Sequence, residues 1–154
     1  MFRGHSERNL DPKGRLMLPP EFREEVLKTS PEGKLMLTNF DGCVVGYPMP
    51  EWERIEESFQ RVNVLDARLR NLQRFIISGA VEVMLDKQGR ILVPPALRKL
   101  AALDRDVVII GAMDRFEIWP AEKWASFALE AESLLDAASS ELSFGSSGPS
   151  TVQA

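Results

Sequence analysis

The chain has 154 residues, 44% of them hydrophobic and 27% charged, which suits one compact domain or two small ones sharing a core. No apolar run approaches the roughly 18 residues of a membrane span. The start, Met1-Phe2-Arg3-Gly4-His5-Ser6-Glu7-Arg8, lacks the apolar stretch of a signal peptide, and the one cysteine, Cys43, excludes an intrachain disulfide. These features point to the cytoplasm. The net charge of −4 weighs against a nucleic-acid partner. Its distribution does not: past Lys123 there is no Lys or Arg, and setting aside Glu130, Glu132, Asp136 and Glu141 leaves 19 acidic against 19 basic residues.

In chain order, residues 6–10 alternate as a short strand and lead into Asp11-Pro-Lys-Gly14. Asp at the first place and Gly at the fourth favour a type I turn, and Pro12 fits the second. Residues 15–18 form a second strand. Pro19-Pro20 then opens a short helix, since proline is tolerated only in the first turn. Two strands flank a turn at Asp41-Gly42. Trp52, Ile55, Phe59 and Val62 recur at helical spacing, and Leu65, Leu69, Leu72 and Ile76 give a further amphipathic helix. The same order then returns: a strand over 80–85, a turn at Asp86-Lys-Gln-Gly89, a strand over 90–93, a helix opened by Pro94-Pro95, and strands about Asp114-Arg115. Trp124, Phe127, Ala131 and Leu134 form the last helical stripe. From Ser139 onward the chain is rich in Ser and Gly and reads as a disordered tail.

The return is a sequence repeat. Residues 4–23 align without gaps to 79–98 at an offset of 75, with identical pairs Gly4/Gly79, Glu7/Glu82, Leu10/Leu85, Asp11/Asp86, Gly14/Gly89, Arg15/Arg90, Pro19/Pro94, Pro20/Pro95 and Arg23/Arg98. Further on, residues 41–48 resemble 114–120 with a one-residue slip, and Trp52 matches Trp124. The chain therefore divides into a first repeat at 1–62, a connecting helix at 63–77, a second repeat with a C-terminal helix at 78–138, and a tail at 139–154.

The turn motif carries the chemistry. Asp11 and Asp86 can accept backbone N–H bonds within the turn, and Gly14 and Gly89 can take the positive φ that closes it. Arg15 and Arg90 follow within reach of the aspartates. Each Asp–Arg pair could simply fix its turn, and for the second copy that is the preferred reading, because solvated pairs contribute little. The first copy differs. Arg3 faces Ser78, His5 faces Ala80, Arg8 faces Val83, Asn9 faces Met84 and Lys13 faces Gln88, so the polar or basic residue is always in the first. Residues 1–15 carry an excess charge of +2 and residues 76–90 of zero. A cationic hairpin can enter the major groove, where Arg reads guanine and Lys holds phosphate. One such footprint is small, so several copies are expected to act together in a homo-oligomer.

Other residues point elsewhere. His5 and Cys43 make no metal-ligand cluster and no catalytic triad. His5 is expected at the surface or on a phosphate, and Cys43 in the core. Phosphate-cradling Gly-rich loops are missing, and no cofactor is expected. Trp52 and Trp124 read as core, and Arg61, Arg68, Arg70 and Arg74 as a solvated face.

The duplicated motif, residues 10–20 with their partner at 85–95, resembles the MraZ family of the AbrB-like swapped-hairpin superfamily, and the resemblance runs from Met1 to about Leu135. It implies an α+β fold of two tandem swapped-hairpin units forming a pseudo-symmetric double-hairpin barrel. It also implies a nucleoid-associated regulator that assembles into a ring. Such a regulator binds direct repeats in its own promoter region and represses a division and cell-wall gene cluster. The resemblance gives Lys13 and Arg15 base and backbone contacts, with Arg90 in the matching place; Arg3 and Arg8 join them from the charge comparison. The rival reading is a protein-interaction module of antitoxin or substrate-binding type, with an enzyme behind it.

Overall fold

The computed structural model describes residues 1–63 and 65–139, with side chains as far as Leu135. Met1–Ala121 form one compact unit and the residues from Glu122 a second. Strands β1 (His5–Asn9) and β2 (Arg15–Met17) precede helix α1 (Pro20–Thr29), strands β3 (Lys34–Phe40) and β4 (Cys43–Pro48), and helices α2 (Met49–Gln60) and α3 (Ala67–Ser78). The second copy repeats the order with β5 (Val81–Met84), β6 (Arg90–Leu92), α4 (Pro95–Leu100), β7 (Asp106–Gly111), β8 (Phe116–Pro120) and α5 (Ala121–Ser139). The mixed α+β expectation holds.

Strand pairing departs from a simple hairpin reading. β1 does not pair with β2 across the Asp11 turn. Six strands form one antiparallel sheet in the order β1-β7-β8-β4-β3-β5, and β2 pairs with β6 in a separate two-stranded ribbon. Each copy thus lends its first strand to the other copy's hairpin, β1 to β7 and β5 to β3. The alternation of a strand names its buried face but not its partner; here both partners lie across the repeat.

The local chemistry matches the motifs. Asp41 and Gly42 have φ of 53° and 75°, the two-residue turn that Asp-Gly favours between strands. Pro19 and Pro94 cap α1 and α4, each with proline in the first turn. The offset of 75 is lost over the helices, where α1 has 10 residues and α4 has 6.

The core of the first unit draws on both copies. Leu16, Leu18, Phe22, Val26, Leu35 and Leu37 pack with Ile91, Val93, Leu97, Ile109, Phe116 and Ile118. The rings of Phe2 and Phe22 meet edge-on, centroids 5.2 Å apart, a geometry their quadrupoles favour. A polar tie crosses the repeat too, as the Asn39 amide donates to the Leu97 carbonyl at 3.3 Å, and the Thr38 hydroxyl donates to the Ile76 carbonyl of α3 at 2.7 Å. Each buried aliphatic side chain contributes roughly 1.5–3 kcal/mol.

Three helical expectations shift. Leu65 lies outside α3 and is 85% exposed, because Asp66 caps the helix by accepting the Arg68 N–H. Val62 falls beyond the end of α2. Trp52 is buried as expected, whereas on α5 Trp124 is half-buried and Phe127 and Leu134 are exposed. Cys43 is buried. The expected tail, past Ser139, lies outside the described residues.

Candidate nucleic-acid interface

The two turns are built alike. The Asp11 carboxylate accepts the backbone N–H groups of Lys13 at 2.9 Å and Arg15 at 2.8 Å, and its other oxygen takes Arg15 Nε at 2.5 Å. Asp86 accepts Gln88 N–H and Arg90 N–H, both at 2.9 Å, and Arg90 Nε at 2.8 Å. The Arg15 and Arg90 backbone N–H groups, more than any other partner, hold the two carboxyls below their usual 3.8, since hydrogen bonds to the charged form favour it. Gly14 and Gly89 have φ of 88° and 81°, a region in which a side chain is strained.

The turns feed one ribbon. In β2–β6, Leu16 faces Ile91 across the middle, with Arg15 opposite Leu92 and Met17 opposite Arg90. Leu16 and Ile91 are buried. Successive side chains alternate, so Arg15, Met17, Arg90 and Leu92 share the other, outer face, where Arg15 and Arg90 are half-buried and Leu92 exposed. The two repeats therefore contribute one arginine each to a single face. Lys13 and Lys87 are exposed in the turns that flank it.

The remaining candidates lie elsewhere. Arg3 and His5 are exposed near the start of edge strand β1. Arg8 shares the inward face of β1 with Ser6, and its Nε is enclosed with no partner. Its counterpart Val83 packs against the core. Two further arginines stand at the turns: Arg98 lies over Gly14, and Arg23 over Gly89. The identity of Arg23 with Arg98 across the repeat was the available signal, although nothing in it named the opposite turn as their neighbour. Among the described residues no group of three or more His, Cys, Asp or Glu could hold a metal ion, and no helix is long and apolar enough to cross a membrane.

A duplicated, strand-exchanged β scaffold with paired Asp–Arg turns on one ribbon is thus the class that the geometry defines. Comparison with known families agrees with it. The family model of the MraZ protein matches residues 1–75 and again 76–144, and the chain belongs to that family. A protein named transcriptional regulator MraZ from Solidesulfovibrio magneticus is 61% identical over 120 residues, covering 77% of this chain and 79% of its own. The protein of the same name from Nitratidesulfovibrio vulgaris is 52% identical over 124 residues, covering 80% and 83%. A third, from Pelotomaculum thermopropionicum, is 42% identical over 134 residues, covering 86% and 89%.

Proposed function

We propose that the chain is a sequence-specific DNA-binding transcription regulator and not an enzyme, and that the β2–β6 ribbon is its reading element. One observation carries this: Arg15 and Arg90 stand on the outer face of a single two-stranded ribbon whose inner face is pinned in the core by Leu16 and Ile91. A ribbon of two strands fits the major groove, and arginine can pair bidentately with guanine there. The names of the relatives support regulation of transcription as the output. Lys13 joins the two arginines from its turn, and Arg3 approaches the phosphate backbone from beside β1, whereas Arg8, turned inward, does not.

The finer reading follows the family resemblance. A ring of copies would set many ribbons on direct repeats in the chain's own promoter region, gathering affinity that one ribbon lacks. It would repress a division and cell-wall gene cluster from the cytoplasm, at the nucleoid. Closure of the two sheets into a double-hairpin barrel, and the division at 62, 77 and 138, belong to the same reading.

The test is fluorescence anisotropy of a labelled duplex taken upstream of the chain's own gene, with a scrambled duplex as control. Tight, salt-sensitive binding that prefers the native duplex is the expected result. Equal, weak binding to both would overturn the reading in favour of a protein-interaction module. Light scattering on the same sample reads the assembly, and a monomer at working concentration would remove the ring.

A further inference from the structure

Arg23 on α1 and Arg98 on α4 hold the same place in the two repeats, and each crosses to the other repeat's turn. A Cβ built on Gly14 would lie 2.7 Å from Arg98 Cζ and 3.0 Å from its Nη2. One on Gly89 would lie 2.5 Å from Arg23 Nη1. Glycine at these positions therefore does more than permit a positive φ: it leaves room for a guanidinium from across the repeat.

Their charge is unanswered. Arg98 Nε donates to the Val93 carbonyl at 2.9 Å, while Arg23 Nε is enclosed with no acceptor. Among the described residues neither side chain forms an ion pair. The two turn carboxylates are already engaged, each by one arginine and two backbone N–H groups. Asp104 and Asp11 line an open cleft with Arg98 without pairing with it. Both arginines are half-buried, and partly burying a charge without a counter-charge is costly. An arriving anion would relieve that cost. Arg15 and Arg90 have their charge matched by Asp11 and Asp86.

We propose that Arg23 and Arg98 are phosphate-backbone contacts of the ribbon, one brought to each turn by the opposite repeat. Arg15 and Arg90, held in orientation and charge-compensated by their aspartates, then supply discrimination between bases. The inference rests on the DNA-binding reading above and divides its labour. Phosphate contacts set affinity and salt dependence, and base contacts set preference.

The experiment compares the full-length parent with the double variants Arg23→Gln/Arg98→Gln and Arg23→Lys/Arg98→Lys. Each binds the upstream and scrambled duplexes across a salt series, with thermal unfolding measured in parallel. The glutamine pair is expected to reduce the slope of log affinity against log salt by roughly 0.9 for each phosphate that is no longer neutralised. It should weaken both duplexes by the same factor, while the lysine pair keeps the parent slope. A glutamine pair with the parent slope overturns the proposal. So does a lysine pair that loses affinity as the glutamine pair does, with a lowered Tm, because the arginines would then only brace the turns. In either case a parent that still prefers its own duplex leaves the DNA-binding reading standing. A parent that binds neither duplex removes both.

Discussion

Around the β2–β6 ribbon the two repeats are nearly interchangeable, whereas along β1 and β5 they have diverged. In the ribbon Leu16 opposes Ile91, and Arg15 and Arg90 each lean on an aspartate four residues back. On the edge strands Arg8 stands where Val83 packs against the core, and Asn9 stands where Met84 is exposed. The two edges serve the same sheet through the same register, each lent to the opposite copy's hairpin. The copies differ on the two edge strands of the large sheet and agree in the ribbon, where one repeat's side chain completes the other's.

That comparison can be broken most sharply in the ribbon's buried face. Leu16→Ala and Ile91→Ala should each cost about 2–5 kcal/mol in urea unfolding, with the two losses similar; a loss from one side only would end the equivalence. Next in size is the outer face. Arg15→Ala and Arg90→Ala should each weaken binding to the upstream duplex, by about 1–3 kcal/mol where the arginine meets a base. The more cationic first repeat leads us to expect the larger loss at Arg15. An unchanged Arg90→Ala would confine recognition to the first turn and leave Arg90 a structural residue.

The edge strands give a smaller effect of opposite signs. Arg8→Val removes an enclosed Nε without a partner, a group that costs roughly 1–3 kcal/mol when unsatisfied, and should raise Tm by a few degrees. Val83→Arg should lower it. Two shifts of the same sign would mean that Arg8 is satisfied where it stands.

Acid should produce the smallest change. The carboxyls of Asp11 and Asp86 are held below 3.8 by backbone N–H donors, Arg15 N–H and Arg90 N–H foremost. A depressed folded value adds stability that is present above the unfolded pKa and is lost as pH falls through the folded one. Tm should therefore decline as pH drops below about 3.8, and Asp11→Asn or Asp86→Asn should each flatten that decline to a similar extent.

Much of this was legible in the amino-acid order. The duplication, the Asp-x-x-Gly-Arg turns and the proline-opened helices all follow from local rules, and the structure has them within a residue or two. The exchange of strands was not legible from the alternation of residues 6–10, because a period of two marks a buried face and leaves the partner open. Leu65 shares the helical spacing of α3 but precedes its N-cap at Asp66, which the spacing alone does not mark. Arg23 and Arg98 gave no sign of their position, since it arises only when one repeat folds against the other. Arg8 reads as a free cation beside Arg3, yet strand parity turns it inward.

The exchange of first strands also sets an order in time. β1 leaves the ribosome more than a hundred residues ahead of its partner across the register His5–Ile110. At roughly 5–20 residues per second the strand waits roughly 5–20 s with one edge unmet. The leading half of the nascent chain cannot finish folding alone, so a fragment ending near the junction of the repeats should stay incomplete until the trailing half is supplied. By the same logic, two half-length chains mixed in solution have everything required to rebuild the unit, which makes the covalent link between them a means of fixing their ratio.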